Sequence, residues 1–480
     1  MNIRMVVNIL GKGLFFMSLS LLIPLCASVY YQEDDLSSLA LGALICGVAG
    51  AVMVFLSRRP EGELRHREGF LVVTLAWTLA GLFGAIPFRL SGYFASYIDA
   101  VFETVSGFTT TGATVLTNVE VLPHGLLLWR ALTHWLGGMG IIVLTIAILP
   151  YLGVGGMQIF NAESPGPTVD KLKPRITETA KLLWGIYVGL TVLEAILLLA
   201  GGMGAFDAVC HSFATMATGG FSTKNASIGA YASPYIDAVV TVFMLIAGAN
   251  FALHYAALTG NVKAYLHSHE FRWYLAIYSL ACLFIMWNTR DLYPSFLQLL
   301  RYVTFQVSSI LTTTGFATYD FIKWPVAAQI MLVLLMVIGG CAGSTSGGVK
   351  VMRLGILIKF AHREIFKLVH PHAVKSIKWD GHTVQPDVLQ SILGFSIFYA
   401  LILLVGTLLI SMLGIDFTSS VSSVIACTGN VGPGLASVGP MGNFAHIPPA
   451  GKVILTFCML VGRLEVYTIL VVLSPAFWTR

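Results

Sequence analysis

The chain has 480 residues, of which 56% are hydrophobic and only 11% charged, against about a quarter charged in a soluble domain. Apolar stretches of about 20 residues recur from end to end, each long enough to cross a ~30 Å hydrocarbon layer as a helix, which excludes a soluble globular fold. The net charge of +5 is modest and reports basic cytoplasmic loops of a membrane chain, so no nucleic-acid partner is inferred.

In chain order, Met1 to Ser28 superficially resembles a signal peptide, but its apolar stretch Ile9 to Tyr31 suits a spanning helix better. Spanning segments are expected near 8–30, 37–57, 69–91, 124–150, 178–201, 234–259, 272–289, 326–362, 388–414 and 451–476, about ten in all. Shorter uncharged segments near 98–110, 206–218, 302–313 and 418–429 read as re-entrant. Arg58, Arg59, Arg65 and Arg67, then Lys171, Lys173, Arg175 and Lys181, then the basic stretch from Lys350 to Lys378, fall on one side of the membrane, and the loops 113–123 and 433–449 carry no Lys or Arg. Both termini are therefore expected in the cytoplasm. The seven cysteines (Cys26, Cys46, Cys210, Cys282, Cys341, Cys427 and Cys458) stand singly, which supports neither a disulfide framework nor a zinc site.

The re-entrant segments resemble one another: FETVSGFTTTGAT from Phe102, VCHSFATMATGGFST from Val209, FQVSSILTTTGFAT from Phe305 and VSSVIACTGNVGPG from Val421. Their glycines align as Gly112, Gly220, Gly315 and Gly432, and a second small-residue landmark, expected to break the following helix, comes after each: LGGMG at 136–140, AGAN at 247–250, IGGCAG at 338–343 and VGRLE at 461–465. Thr/Gly turns and close-packing glycines recur by chance in polytopic chains. Four in succession at comparable spacing make a repeat. The expected organisation is an N-terminal helix pair over 1–68 and four pore repeats over 69–150, 151–262, 263–380 and 381–480.

A cation crossing lipid must exchange its water for oxygens that bind weakly enough to release it, and rings of backbone carbonyls do this. Thr110, Thr111, Gly112 and Ala113; Thr218, Gly219, Gly220 and Phe221; Thr313, Thr314, Gly315 and Phe316; and Asn430, Val431, Gly432 and Pro433 are the four strips assigned to such a filter. Threonine hydroxyls are available for a further ring. None of the strips contains Asp or Glu, which argues against a calcium-type carboxylate ring.

With these strips the chain resembles the Trk/Ktr/HKT superfamily of cation transporters over roughly residues 69–480, and its first two helices look like the extra pair of the bacterial TrkH branch. The resemblance implies potassium as the transported ion at the filter residues, with rubidium passing and sodium weakly excluded because the fourth strip departs from the threonine-rich pattern. It also implies a bacterial inner-membrane location, a homodimer with one pore per chain, and regulation by a cytoplasmic TrkA-like nucleotide-binding ring. No cofactor is expected.

Gly339, Gly340, Gly343, Ser344, Thr345, Ser346, Gly347 and Gly348, ahead of Lys350, form a stretch too glycine-rich for helix. It reads either as a kink for close packing or, by the resemblance, as a mobile gate beneath the filter. Arg463 and Glu465 lie in apolar surroundings where a charge must be paired or hydrated. A salt bridge between or from them is one reading. The resemblance implies that Arg463 is a barrier below the filter and Glu465 structural. Glu194 is similar but less informative, Asp99 and Asp207 are expected to cap pore helices, and Glu103 faces either the outer vestibule or a polar cavity. His134 and His254 read as interior histidines rather than metal ligands. A gated pore and a secondary symporter with a midplane site remain the two competing functions; repeats of two helices entering from one side favour the pore. With no clustered His/Asp/Glu, nucleophile–base pair or phosphate loop, an enzyme is not expected.

Overall fold

The computed structural model describes residues 1–58, 66–147 and 172–479. Arg59, Arg65, Lys171 and the boundary at 150/151 lie outside the described residues.

The signal-peptide-like start is a spanning helix running as one apolar segment from Ile3 to Tyr31. A tight turn with Gln32 in the left-handed region leads to Leu36–Leu56. These two helices touch at backbone level, because a Cβ on Gly11 or Gly50 would meet the carbonyl oxygen of the other. Small residues permit that approach where lipid gives no hydrophobic drive between helices.

Four units follow, each a helix, a short re-entrant helix and a second helix. The short helices are Tyr97–Phe108, Ala205–Met216, Phe296–Leu311 and Phe417–Gly429. At 1.5 Å per residue they are about 18–24 Å long, too short to span lipid, and side chains that are buried in protein along most of their length surround them. The chain is thus an all-α membrane protein: four pseudo-repeats around one central pore, with two extra N-terminal transmembrane helices. A two-residue hairpin, Lys378–Trp379 against His382–Thr383, is the sheet among the described residues.

The second helices differ from expectation in an instructive way. His124–Ala147 runs straight through its glycine landmark. In the second unit, Pro234–Ala247 and Phe251–Leu258 meet at 100°, because the Asn250 side chain accepts from Ala252 N–H and starts a new helix. In the fourth, Pro449–Arg463 and Tyr467–Leu473 meet at 115°, with Glu465 and Val466 both at positive φ. In the third, Val326–Ile338 stops at Gly339, and a non-helical loop precedes Val351–Val369. The windows 234–259, 326–362 and 451–476 are therefore not single straight spans.

Asp99 and Asp207 do not cap their helices. Ser96 is the cap of the first pore helix, its oxygen accepting from Asp99 N–H at 3.1 Å; Gly204 precedes the second without a side-chain bond. Both acids sit in the first turn, where a negative charge still favours the helix dipole. Asp99 accepts from Lys452 Nζ at 2.5 Å, and Asp207 accepts from the hydroxyls of Thr223 and Tyr231 at 2.6 and 2.7 Å.

Candidate functional site

All four short helices end in the same turn. Thr110, Thr218, Thr313 and Asn430 have φ of 53°, 54°, 58° and 54°, and the next residue donates its N–H back across the turn: Thr111 to Ser106 O, Gly219 to Ala214 O, Thr314 to Ser309 O (each 2.8 Å) and Val431 to Ala426 O (2.9 Å). This is the left-handed helix terminus usually filled by glycine. Threonine there is an outlier costing on the order of 1–3 kcal/mol, a strain that persists only where the surroundings hold it.

Two residues on, Gly112, Gly220, Gly315 and Gly432 are again left-handed, at 78°, 81°, 83° and 97°. The residue between them is not. Alternating handedness turns successive carbonyls to the same side of the strand, which an unbroken β-strand cannot do. The strips also contact one another in cyclic order. A Cβ added to Gly112 would strike Gly219 O, one on Gly220 would strike Thr314 O, one on Gly315 Val431 O, and one on Gly432 Thr111 O. The strips therefore close into a ring around one axis, and one cavity is lined by all four glycines together with Thr114, Thr117, Ser222, Lys224, Asn225 and Asn443. Ala113, Phe221 and Phe316 are buried, and Pro433 half-buried, at the outer ends of the strips.

The threonine hydroxyls do not form a free ring. Thr111 bonds Thr109 and Thr314 bonds Thr312, each at 2.8 Å; Thr218 donates to Ala217 O at 2.7 Å, and Thr313 accepts from Gly347 N–H at 2.7 Å. The Thr110 hydroxyl and Asn430 Oδ1 are buried without a protein partner. Asn430 Nδ2 reaches Thr111 Oγ1 and Met459 O, both at 3.0 Å, and so ties the fourth strip to the first.

The second glycine landmarks serve close approach. Cβ atoms on Gly137 and Gly462 would collide with Phe108 O and Thr428 O, at the ends of the first and fourth pore helices, and one on Gly248 would press on Thr312.

The loop from Gly339 to Lys350 lies directly under the ring. Gly340 and Gly347 are buried, with Gly347 against Gly429 O. Ser344 donates to Cys341 O at 2.6 Å, and Thr345 donates to Met216 O and Ala247 O at 3.0 and 3.2 Å. Gly343 O accepts from Phe251 N–H at 3.0 Å. Lys350 Nζ donates to Ser346 O, closing the loop on itself; Gly339, Gly343, Gly348 and Lys350 all stand at positive φ. Arg463 does not pair with Glu465. Its Nη1 donates to Thr345 O at 2.7 Å and its Nη2 to Gly137 O at 3.5 Å, whereas Glu465 pairs with Arg353.

Sequence reading missed several anchors. Glu270 accepts the N–H groups of Ala342, within the loop, and Met352, in the helix that follows it, at 2.6 and 3.2 Å. Glu103 pairs with Arg130 at 2.8 Å, and Lys452 with Asp99. The available signal was a charge inside an apolar window, which names one partner and leaves the other hidden. His134 stacks on Phe221 with centroids 4.1 Å apart, and His254 bonds Tyr265 Oη at 2.5 Å. Among the described residues no group of three His, Cys, Asp or Glu could hold a metal ion.

A single-chain ring of four re-entrant loops, with irregular backbone plugged beneath it at membrane depth, defines a membrane transport protein, because such backbone is tolerated only in protein or against a water-filled path. Comparison with known proteins is specific. The family model TrkH, cation transport protein, matches residues 36–479. The Trk system potassium uptake protein TrkH of Salmonella typhimurium is 44% identical over the whole of both chains, and the Trk system potassium uptake protein TrkG of Escherichia coli is 34% identical over 99% of each. The crystal structure of the potassium transporter TrkH from Vibrio parahaemolyticus covers both chains fully, with a TM-score of 0.92 and 39% identity. The chain belongs to the TrkH family of cation transport proteins.

Proposed function

We propose that this chain takes up potassium through a gated, channel-like pore whose selectivity filter is the ring of carbonyls from the four strips, and that K+ and Rb+ pass with weaker exclusion of Na+. The closed cyclic contact of Gly112, Gly220, Gly315 and Gly432 carries the reading: four uncharged strips converging on one axis offer an alkali cation oxygens in place of its water. The names of the relatives, each a Trk system potassium uptake protein, support potassium as the ion.

Beneath the ring, the loop 339–350 acts as the gate. Arg463 holds that loop through Thr345 O and puts a positive charge below the filter, raising the barrier to cations while the loop is in place. We divide the chain functionally as 1–68, 69–150, 151–262, 263–380 and 381–480. We further assign it to the bacterial inner membrane as a multi-pass protein with both termini cytoplasmic, as a homodimer with a pore in each chain, regulated by a TrkA-like nucleotide-binding ring on the cytoplasmic side. It has no enzymatic role in this scheme.

The test is rubidium uptake by purified protein in liposomes. Gly112→Ser should lose uptake or relax its Rb+/Na+ selectivity, and a deletion within 339–348 should raise resting flux. Uptake in fixed stoichiometry with protons or sodium, at carrier rates, would overturn the pore in favour of a symporter.

A further inference from the structure

Beside the first strip lies an ion pair that belongs neither to the carbonyl ring nor to the plug. Glu103, on the first pore helix, is fully buried. Its Oε1 accepts from Arg130 Nε at 2.9 Å, from Arg130 Nη2 at 2.8 Å and from the Thr114 hydroxyl at 2.9 Å, and its Oε2 accepts from Val115 N–H at 3.0 Å. Thr114 and Val115 are the residues that leave the first strip. Arg130 then reaches onward: Nη1 donates to Ser222 O at 3.2 Å, and the guanidinium lies 4.0 Å from the centre of the Phe221 ring. Phe221 and Ser222 are the residues that leave the second strip. A continuous polar strut thus joins two neighbouring strips just outside their glycines.

The other repeats show what this strut adds. Nine residues before the filter glycine, where the first repeat has Glu103, the second has His211 and the third Gln306. His211 Nε2 bonds Ser222 Oγ at 2.9 Å, and Gln306 Nε2 donates to Phe316 O at 3.3 Å. In the fourth, the residue nine before Gly432 is Ser423, which donates to Ser420 O at 3.1 Å, and it is the preceding Ser422 whose hydroxyl accepts from Leu435 N–H at 2.9 Å. Every pore helix therefore props its own outgoing strand with a polar side chain, and neutral groups suffice for that. The carboxylate of the first repeat goes with an arginine that lines the outer cavity. An unbalanced guanidinium there would repel arriving cations, since charges at a cleft mouth act on approach and local concentration.

We propose that the Glu103–Arg130 pair is a positioning and charge-balancing device: it fixes the spacing of the first two strips, and so ion selectivity, while cancelling a positive charge at the outer mouth, and so sets apparent affinity. This rests on the pore reading above. Wild-type rubidium uptake in the same vesicles tests that reading separately: its failure overturns the pore and this proposal together, whereas normal wild-type uptake with unaltered variants overturns this proposal alone.

The experiment measures KM for Rb+ and competition by Na+ in liposomes, normalised to folded protein. Glu103→Gln should raise KM about tenfold, and because the remaining Arg130 charge is buried, an impermeant salt should change this little. The double variant Glu103→Gln with Arg130→Met removes both charges and leaves no lone buried ion, so it should fold where a single variant does not. Its KM should return close to wild type while Na+ competes several-fold better, because the strut is gone. Thr114→Val, which removes the hydroxyl's bonds to Glu103 and Leu116 N–H but no charge, should leave KM alone and shift Na+ competition in the same direction. If the double variant and Thr114→Val both keep wild-type Na+ competition, the pair has no positioning role and the proposal falls. If Glu103→Gln folds with an unchanged KM, the charge-balancing half falls with it.

Discussion

Threonine stands at φ of 53°–58° in three strips, a region that branched side chains avoid, and asparagine stands there in the fourth. Asparagine is the ordinary substitute for glycine in this conformation, so the strip that looks least like the others is the one least strained. Its side chain has a second task, bonding Thr111 Oγ1 and Met459 O across the seam between the last repeat and the first. Asn430→Thr, which brings the fourth strip closer to the other three in sequence, should therefore destabilise the protein by about 1–3 kcal/mol: two buried bonds are lost and a branched Cβ is forced into the left-handed region. Thermal unfolding in detergent micelles checks this, and an unchanged midpoint would mean that the seam does not depend on the amide. The same scale of argument applies to Gly462, where a methyl group would collide with the Thr428 carbonyl and press on Asn430 Oδ1. Gly462→Ala should cost about 1–3 kcal/mol by overpacking, whereas alanine at Gly185, which has open space around its Cβ position, should be neutral or slightly stabilising in a helix.

At the scale of elements, the plug is a loop with unusually many anchors for its glycine content. Thr345 is bonded to the ends of two helices of the second repeat and to Arg463 of the fourth, so two other repeats hold one residue of the third. Arg463→Gln keeps a donor but removes the charge, and should raise resting Rb+ flux several-fold by lowering the cation barrier and loosening the loop; an unchanged flux in the presence of folded protein would deny it that role. The composition of the loop was legible in the sequence, because glycine-rich stretches cannot hold a helix. Its anchoring was not. Arg463 looked like a partner for Glu465, two residues away, yet Glu465 faces Arg353 on the helix after the loop, and the chain bend between the two charges sends them to different neighbours. Likewise the strips were legible because each is a local turn written by its own Thr and Gly residues, whereas the bends of 100° and 115° depend on what the glycine landmark meets in space. In the first repeat the same kind of landmark leaves the helix unbroken.

At the scale of the whole molecule, the N-terminal pair is legible as two spanning helices, but its attachment to the pore is not, because the contact joins residues about ninety positions apart. The turn between the two helices reaches the start of His124–Ala147. Glu33 accepts from His124 N–H at 2.5 Å and Asp35 accepts from Leu126 N–H at 3.0 Å, so two carboxylates cap the positive end of a helix that carries Arg130 and Gly137 to the ring of strips. Asp35 is buried, and burial raises its carboxyl above the ordinary range even though the Ser28 hydroxyl and Leu126 N–H pull the other way. A raised folded-state pKa favours the protonated acid: its stabilising contribution is complete below the unfolded pKa, near 3.9, and is lost as pH rises through the folded value. Asp35→Asn keeps an oxygen for the Leu126 N–H and carries no charge at any pH. Its unfolding midpoint should therefore match wild type near pH 4 and exceed it by a few degrees near pH 8. Asp35→Ala, which leaves the N–H without its acceptor, should melt lower at both. A midpoint for Asp35→Asn that stays level with or below wild type at the higher pH would show that the charge on the helix terminus outweighs the burial it suffers, and that the N-terminal pair is held to the pore by ionic capping instead of by a hydrogen bond.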